Sequence, residues 1–120
     1  MRRLLATAVS MALLCSLTQP VSAQMRIATG NNLFGLCTSS DNAARSYCNG
    51  YIRGASEFIV MQATIRHRDP EYFCVRDTVT NDQMRDIVIK YVRENPEQRD
   101  TFAFYLVQLA IYDEFPECGK

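Results

Sequence analysis

The sequence predicts an all-α fold: a small helical bundle of three principal helices plus a short N-terminal one, stapled by two disulfides. Three observations predict it. Apolar residues recur at alternating spacings of three and four, and no strand alternation of any length competes. Cap residues followed three positions later by Gln, at Thr80 and Asn95, mark helix starts. Four cysteines remain once an N-terminal leader is set aside, and an even number in an exported domain favours oxidised pairs over free thiols.

The leader is residues 1–23, MRRLLATAVSMALLCSLTQPVSA. Arg2 and Arg3 precede an apolar run, Leu4–Leu17, and Val21-Ser22-Ala23 forms a small-x-small cleavage site. This reads as a secretory signal peptide cut after Ala23, leaving one domain over residues 24–120 in the periplasm. The run falls short of the ~20 residues of a membrane span, so no membrane insertion is expected after cleavage. The whole chain carries 13 basic and 13 acidic residues; the leader removes Arg2 and Arg3 and no acid, leaving 11 against 13, or −2. Such a balance gives no reason to expect nucleic acid or an anionic membrane surface as a partner.

The domain opens with a polar lead, Gln24–Asn32, and a short apolar helix near Leu33–Cys37. Thr38-Ser39-Ser40-Asp41 then offers cap oxygens for a long helix from about Asp41 to His67. Its apolar stripe reads Ala44, Cys48, Tyr51, Ala55, Phe58 and Gln62, broadened by Ile52, Ile59 and Ile65. Gly50 and Gly54 lie in line with Tyr47 and Met61 on one flank. A glycine inside a helix costs about 0.5–1 kcal/mol against Ala, so this pair predicts a shallow groove where another helix comes close. That helix belongs either to the same chain or to a second copy.

Pro70 ends the long helix, and Tyr72–Val75 is an extended segment tied down by Cys74. Thr80 caps the next helix, Gln83 completes its capping box, and Val79 can staple onto Met84. Ile87, Val88, Tyr91 and Val92 form its apolar side. Asn95 caps a last helix over about Pro96–Asp113, with Pro96 in the first helical position. Phe102, Ala103, Phe104, Leu106, Val107, Leu109, Ala110 and Ile111 make it apolar almost all round, which suits the centre of a bundle or a partner-covered helix.

Little chemistry is available for catalysis. His67 is the sole imidazole, flanked by Arg66 and Arg68 without a base partner, and the carboxylates are scattered over helix surfaces. The cysteine spacings of 11, 26 and 44 contain no C-x2-C knuckle, so no metal site is expected. The protein is read as a non-enzyme without cofactor. Cys37, Cys48, Cys74 and Cys118 allow three disulfide pairings. Of these, Cys37–Cys118 with Cys48–Cys74 is the favoured one, since it would tie the chain ends together and pin the long helix.

Several motifs in order resemble the Rap/Tai family of immunity proteins. They are Gly30, Leu33 and Cys37 as G-x-x-L-x-x-x-C, then Cys48-Asn49-Gly50-Tyr51-Ile52-Arg53-Gly54. Cys74-Val75 follows, then Val79-Thr80-x-x-Gln83, Pro96-Glu97-x-Arg99, and the closing Phe115-Pro116-x-Cys118. Arg76 and Glu117 depart from the family pattern. The resemblance implies an exported helical protein that neutralises a peptidoglycan amidase delivered by type VI secretion, occluding its active-site groove. It also implies a homodimer, with the Gly50/Gly54 face or the Phe102–Ile111 helix as the contact. The matched residues are caps, glycines and crosslinks, so the recognition surface is sought in loops on the scaffold. These are the Arg66–Tyr72 connection, with Arg66, His67, Arg68 and Tyr72, and the corner holding Glu94, Glu97 and Arg99. Two rival readings are a small acid-stress-type periplasmic chaperone, which would loosen and bind unfolded clients near pH 2–3, and an envelope accessory protein without a toxin partner.

Overall fold

Each of the first three helices begins where a side chain can satisfy its first amides. The computed structural model describes residues 28–120; the expected signal peptide lies outside them. Helix α1 (Gly30–Cys37) is capped by Thr29, whose side chain accepts from Asn32 N while Asn32 reaches back to the Thr29 amide. Helix α2 (Asn42–His67) is capped by Asp41, which accepts from Ala44 N at 2.8 Å. Helix α3 (Asn81–Glu94) carries the Thr80/Gln83 capping box expected from the sequence. Helix α4 (Ala103–Glu114) has no such cap. Two short 3-10 turns, Pro96–Gln98 and Pro116–Gly119, complete the described residues. No described helix is long and apolar enough to cross a membrane.

The last helix is shorter than its sequence pattern suggests. Asn95 makes no side-chain cap; its Nδ2 instead donates to Tyr91 O, closing α3. Pro96–Gln98 is a 3-10 turn, and Phe102 is extended, bridging to Thr29. The α1 entry holds this stretch in place: Gly30 N donates to Thr101 O (2.9 Å), Asn31 N to Arg99 O (2.8 Å), and Ala103 N to Ala28 O (2.8 Å). Those amides and carbonyls satisfy one another instead of a continuing helix.

Helix α4 is the centre of the bundle, in contact with α1, α2 and α3. Ala103, Leu106, Val107, Ala110 and Ile111 are buried in it, against Leu33 of α1 and Val88 and Val92 of α3. Along α2 the buried seam is Cys48, Ile52, Ala55, Ser56, Ile59 and Ala63, rotated from the predicted stripe. Phe58, expected inside, is 45% exposed, and its ring meets Phe104 edge-on with centroids 5.8 Å apart. The β-branched Ile52 and Ile59 take the interior, where their stiff side chains fill fixed space.

The four cysteines among the described residues are oxidised, as Cys37–Cys48 and Cys74–Cys118. The expected pairing of Cys37 with Cys118 and Cys48 with Cys74 is therefore wrong. The short Thr38–Asp41 turn folds α1 against the first turns of α2, which brings Cys37 beside Cys48. The C-terminal 3-10 turn folds back on the 72–75 segment, bringing Cys118 to Cys74. Each bridge joins elements that the turns already make neighbours, rather than the two chain ends.

Close approach falls on a different glycine from those suggested by spacing. A Cβ on Gly30 would stand 2.1 Å from Leu106 Cδ1 and 2.9 Å from the Arg99 carbonyl oxygen. Gly30 is thus the point where α1, the 99–102 turn and α4 meet without room for a side chain. Gly50 and Gly54 have nothing within 4 Å of such a Cβ. Among the described residues no other helix packs against them.

Candidate functional site

Three surfaces of this scaffold can meet a partner. The first lies where α2 ends. Arg68 adopts a left-handed conformation (φ 53°) and closes the helix, its amide donating to Ile65 O. The chain then doubles back so that the Tyr72 ring stacks on His67, centroids 3.8 Å apart. Thr64 Oγ1 donates to Tyr72 O at 2.7 Å, and Tyr72 Oη to Glu117 O at 3.3 Å. Arg66 donates to the carbonyls of Cys118 and Lys120. Arg66 and Tyr72 therefore clip the C-terminal turn onto α2, while Arg68 stays exposed and His67 offers its outer ring face to solvent.

The second surface is the corner after α3. Arg99 lies inside it: its Nε donates to Val92 O (2.9 Å), its Nη2 to Arg93 O (3.3 Å), and its guanidinium sits 4.3 Å over the Phe34 ring. These bonds satisfy the end carbonyls of α3, which is a structural use of the charge. Glu94 and Glu97 remain exposed at the same corner. Helix α3 starts beside Arg53 and Glu57 of α2 and ends beside Arg45. It thus runs back along α2, and the Arg66–Tyr72 and Glu94–Arg99 segments sit at opposite ends of the body. They are two separate patches.

The third surface runs along α2. Tyr47, Gly50, Gly54, Phe58, Met61 and Ile65 follow one another at spacings of three and four, so they share one face over about 27 Å. Tyr47, Phe58, Met61 and Ile65 are 57%, 45%, 47% and 61% exposed, and Phe73, 66% exposed, extends the strip beyond the helix. At its lower end Val60, Met61, Ile65 and Phe73 wall an apolar cleft of about 460 Å³. Ser56 lines the same cleft, its buried Oγ without a hydrogen-bond partner among the described residues. Tyr47, Gly50, Gly54 and Met61 were legible in the sequence as one line. Phe58 and Ile65 were not, because helical periodicity alone assigned them to the core.

Among the described residues no three His, Cys, Asp or Glu side chains converge as a metal cluster. The clearest perturbed acids are two phenols. Burial first, then neighbouring Tyr47, raises Tyr51 above the usual 10.0, against a lowering bond with the Phe104 backbone. Burial also leads for Tyr91, opposed by a Gln98 hydrogen bond and reinforced by Asp113, Tyr105 and Glu97. A phenol whose folded pKa is raised contributes stability fully present below the unfolded value and lost as pH rises through the folded one. An alkaline titration of tyrosinate absorbance should therefore find Tyr51 and Tyr91 ionising above the usual value of 10.0, with stability falling over that range. Ionisation of Tyr51 or Tyr91 at or below the usual value would contradict these burials.

Compared with known proteins, residues 29–118 match the family model described as Rap1a immunity proteins. The match spans all four helices and both disulfides. No curated protein and no solved structure matches the chain.

Proposed function

Because the chain belongs to the Rap1a immunity proteins, we propose that it neutralises a type VI-delivered peptidoglycan amidase in the periplasm by covering that enzyme's active-site groove. The observation that carries this reading is the family match, which takes in the whole oxidised helical body. A body crosslinked at both ends loses little freedom on docking, and pre-organisation of this kind favours tight binding. The exposed groups His67 and Arg68 at one end, or Glu94 and Glu97 at the other, are the proposed contacts with the amidase. Arg66, Tyr72 and Arg99 shape those two ends through their bonds to backbone carbonyls. The test is co-purification with candidate cell-wall amidases, including any encoded beside this protein. A stable complex is the expected result; failure with every candidate would remove the amidase from the account.

We further propose a homodimer through the α2 strip. Fully burying a large aromatic covers about 150–250 Å². The five half-exposed side chains Tyr47, Phe58, Met61, Ile65 and Phe73 would thus supply about half or more of the ~800 Å² per partner of a standard interface. Gly50 and Gly54, open to solvent, let a second helix approach the middle of the strip. Gly54→Ala should then act in two directions. It should raise monomer stability by about 0.5–1 kcal/mol through helix propensity, and it should weaken self-association measured by sedimentation. A variant that associates like the parent would show that the dimer uses another face.

A further inference from the structure

One groove is used neither by the fold nor by the proposed inhibitory contacts. It lies where the end of α1, the start of α2 and the outer face of α3 meet, and it measures about 470 Å³. Three guanidiniums line it: Arg45 from α2, and Arg85 and Arg93 from α3. Arg85, Ile89 and Arg93 follow at four-residue spacing, so they stand one above another on a single face. Asp86 is the one carboxylate in the lining, and Asp82 just outside it also pairs with Arg85, so three guanidiniums face two carboxylates. The surrounding domain, residues 24–120, carries 11 basic and 13 acidic residues and is net −2.

The three cations differ in how far they are committed. Arg85 is held: its Nη1 lies 3.0 Å from Asp82 Oδ1 and 3.5 Å from Asn49 Oδ1, and its Nη2 lies 3.3 Å from Asp86 Oδ1. Its side chain is 23% exposed, against 72% and 71% for the two aspartates. Arg45 donates only to Asn42 Oδ1, and Arg93 forms no side-chain hydrogen bond or ion pair among the described residues. Both are exposed and neither packs in the core. Ser39 Oγ accepts the Asp41 amide at 3.1 Å, leaving its own proton for another acceptor. Cys37 forms part of the floor, and its bridge to Cys48 fixes α1 against α2 beneath the guanidiniums.

Like charges gathered in one groove repel; the aspartates offset this for Arg85 but not for Arg45 and Arg93. Planar guanidiniums, however, pair with carboxylate and phosphate oxygens two at a time. Arg45 and Arg93, without a carboxylate partner among the described residues, can each take one such anionic group. We propose that this groove is a binding site for a small multivalent oxyanion, a molecule carrying at least two carboxylate or phosphate groups, held between Arg45 and Arg93 above the fixed Arg85. The site is independent of the amidase reading and stands or falls without it.

The test is an NMR titration of the oxidised protein with pyrophosphate and with citrate at constant ionic strength, with sodium chloride as control. Backbone amides of the groove and the arginine Nε–H signals report occupancy. Saturable shifts at Arg45, Arg85 and Arg93 are expected, with a midpoint at or below about 1 mM, roughly −4 kcal/mol. The double variant R45Q/R93Q removes no core contact. It should keep the parent's helical circular dichroism and melting temperature and bind at least tenfold more weakly. A tetraglutamate peptide tests the other source of carboxylates and should bind more weakly than citrate. The proposal is overturned by shifts that fail to saturate, by equal binding in R45Q/R93Q, or by tighter binding of tetraglutamate than of either small anion.

Discussion

Replacing Cys74 and Cys118 together by Ala should lower the stability of the protein by about 4 kcal/mol, the value chain entropy gives for a bridge across 44 residues. The same replacement at Cys37 and Cys48 should cost about 3 kcal/mol, because that bridge spans only 11. The larger loss also has a local cause. Cys118 is fully buried, and its bridge holds the C-terminal turn against the chain leaving α2, where Arg66 and Tyr72 bond to the same turn. Freeing Cys118 releases that clip as well as the loop. A small domain retains only about 5–15 kcal/mol in all, so either loss is a large fraction of it. Urea unfolding followed by circular dichroism measures both. A greater loss at Cys37/Cys48, or no loss at Cys74/Cys118, would contradict the assignment of the long bridge as the main staple.

The second large effect should come from Leu106→Ala, at about 2–5 kcal/mol. Leu106 is fully buried in the central helix, and its Cδ1 occupies the space where a Gly30 side chain would begin. Truncation leaves a cavity at the junction of α1, α4 and the 99–102 turn. Gly30→Ala attacks the same point from the other side, and overpacking of this kind costs about 1–3 kcal/mol. The two changes share one volume, so the double variant should cost less than their sum. Strict additivity would mean that the Arg99 backbone, 2.9 Å from the added Cβ, dominates the cost of Gly30→Ala. A Leu106→Ala loss below about 1 kcal/mol would deny this junction its place in the core.

Much of the fold was legible because its signals are local. The Thr80/Gln83 box, the Asp41 cap and the proline after α2 each act within a few residues, and each stands where the sequence put it. What failed depends on contacts between distant segments. The last helix begins at Ala103 and not Pro96 because residues 28–31 take up the hydrogen bonds of the 99–103 turn. The Thr29/Asn32 capping box was equally local but lay in a stretch that read only as a polar lead. The disulfide pairing followed the packing of turns, which spacing does not encode.

The glycines show the same division. Helical geometry correctly placed Gly50 and Gly54 on one face, yet the crowded glycine is Gly30, whose neighbours lie about seventy residues away in sequence. Residue type left a second role open at the candidate contacts. Arg66, Tyr72 and Arg99 looked like recognition anchors because Arg and aromatic side chains are enriched in interfaces. In the fold, Arg66 and Arg99 bond backbone carbonyls, and Tyr72 both accepts and donates within its own end of the body. The groove of Arg45, Arg85 and Arg93 had no sequence signal at all, since it joins two helices whose arginines look like ordinary solvated positions.

An inhibitor that works by fit is consumed one for one by its target, whereas an enzyme is not. The most direct test is therefore to titrate a cell-wall amidase that co-purifies with this protein, following peptidoglycan hydrolysis as the oxidised protein is added. Activity should fall in a straight line to near zero at a fixed small-integer ratio and stay there. Hydrolysis that continues undiminished past that ratio, or that is abolished by a trace of the protein far below it, would contradict inhibition by occlusion.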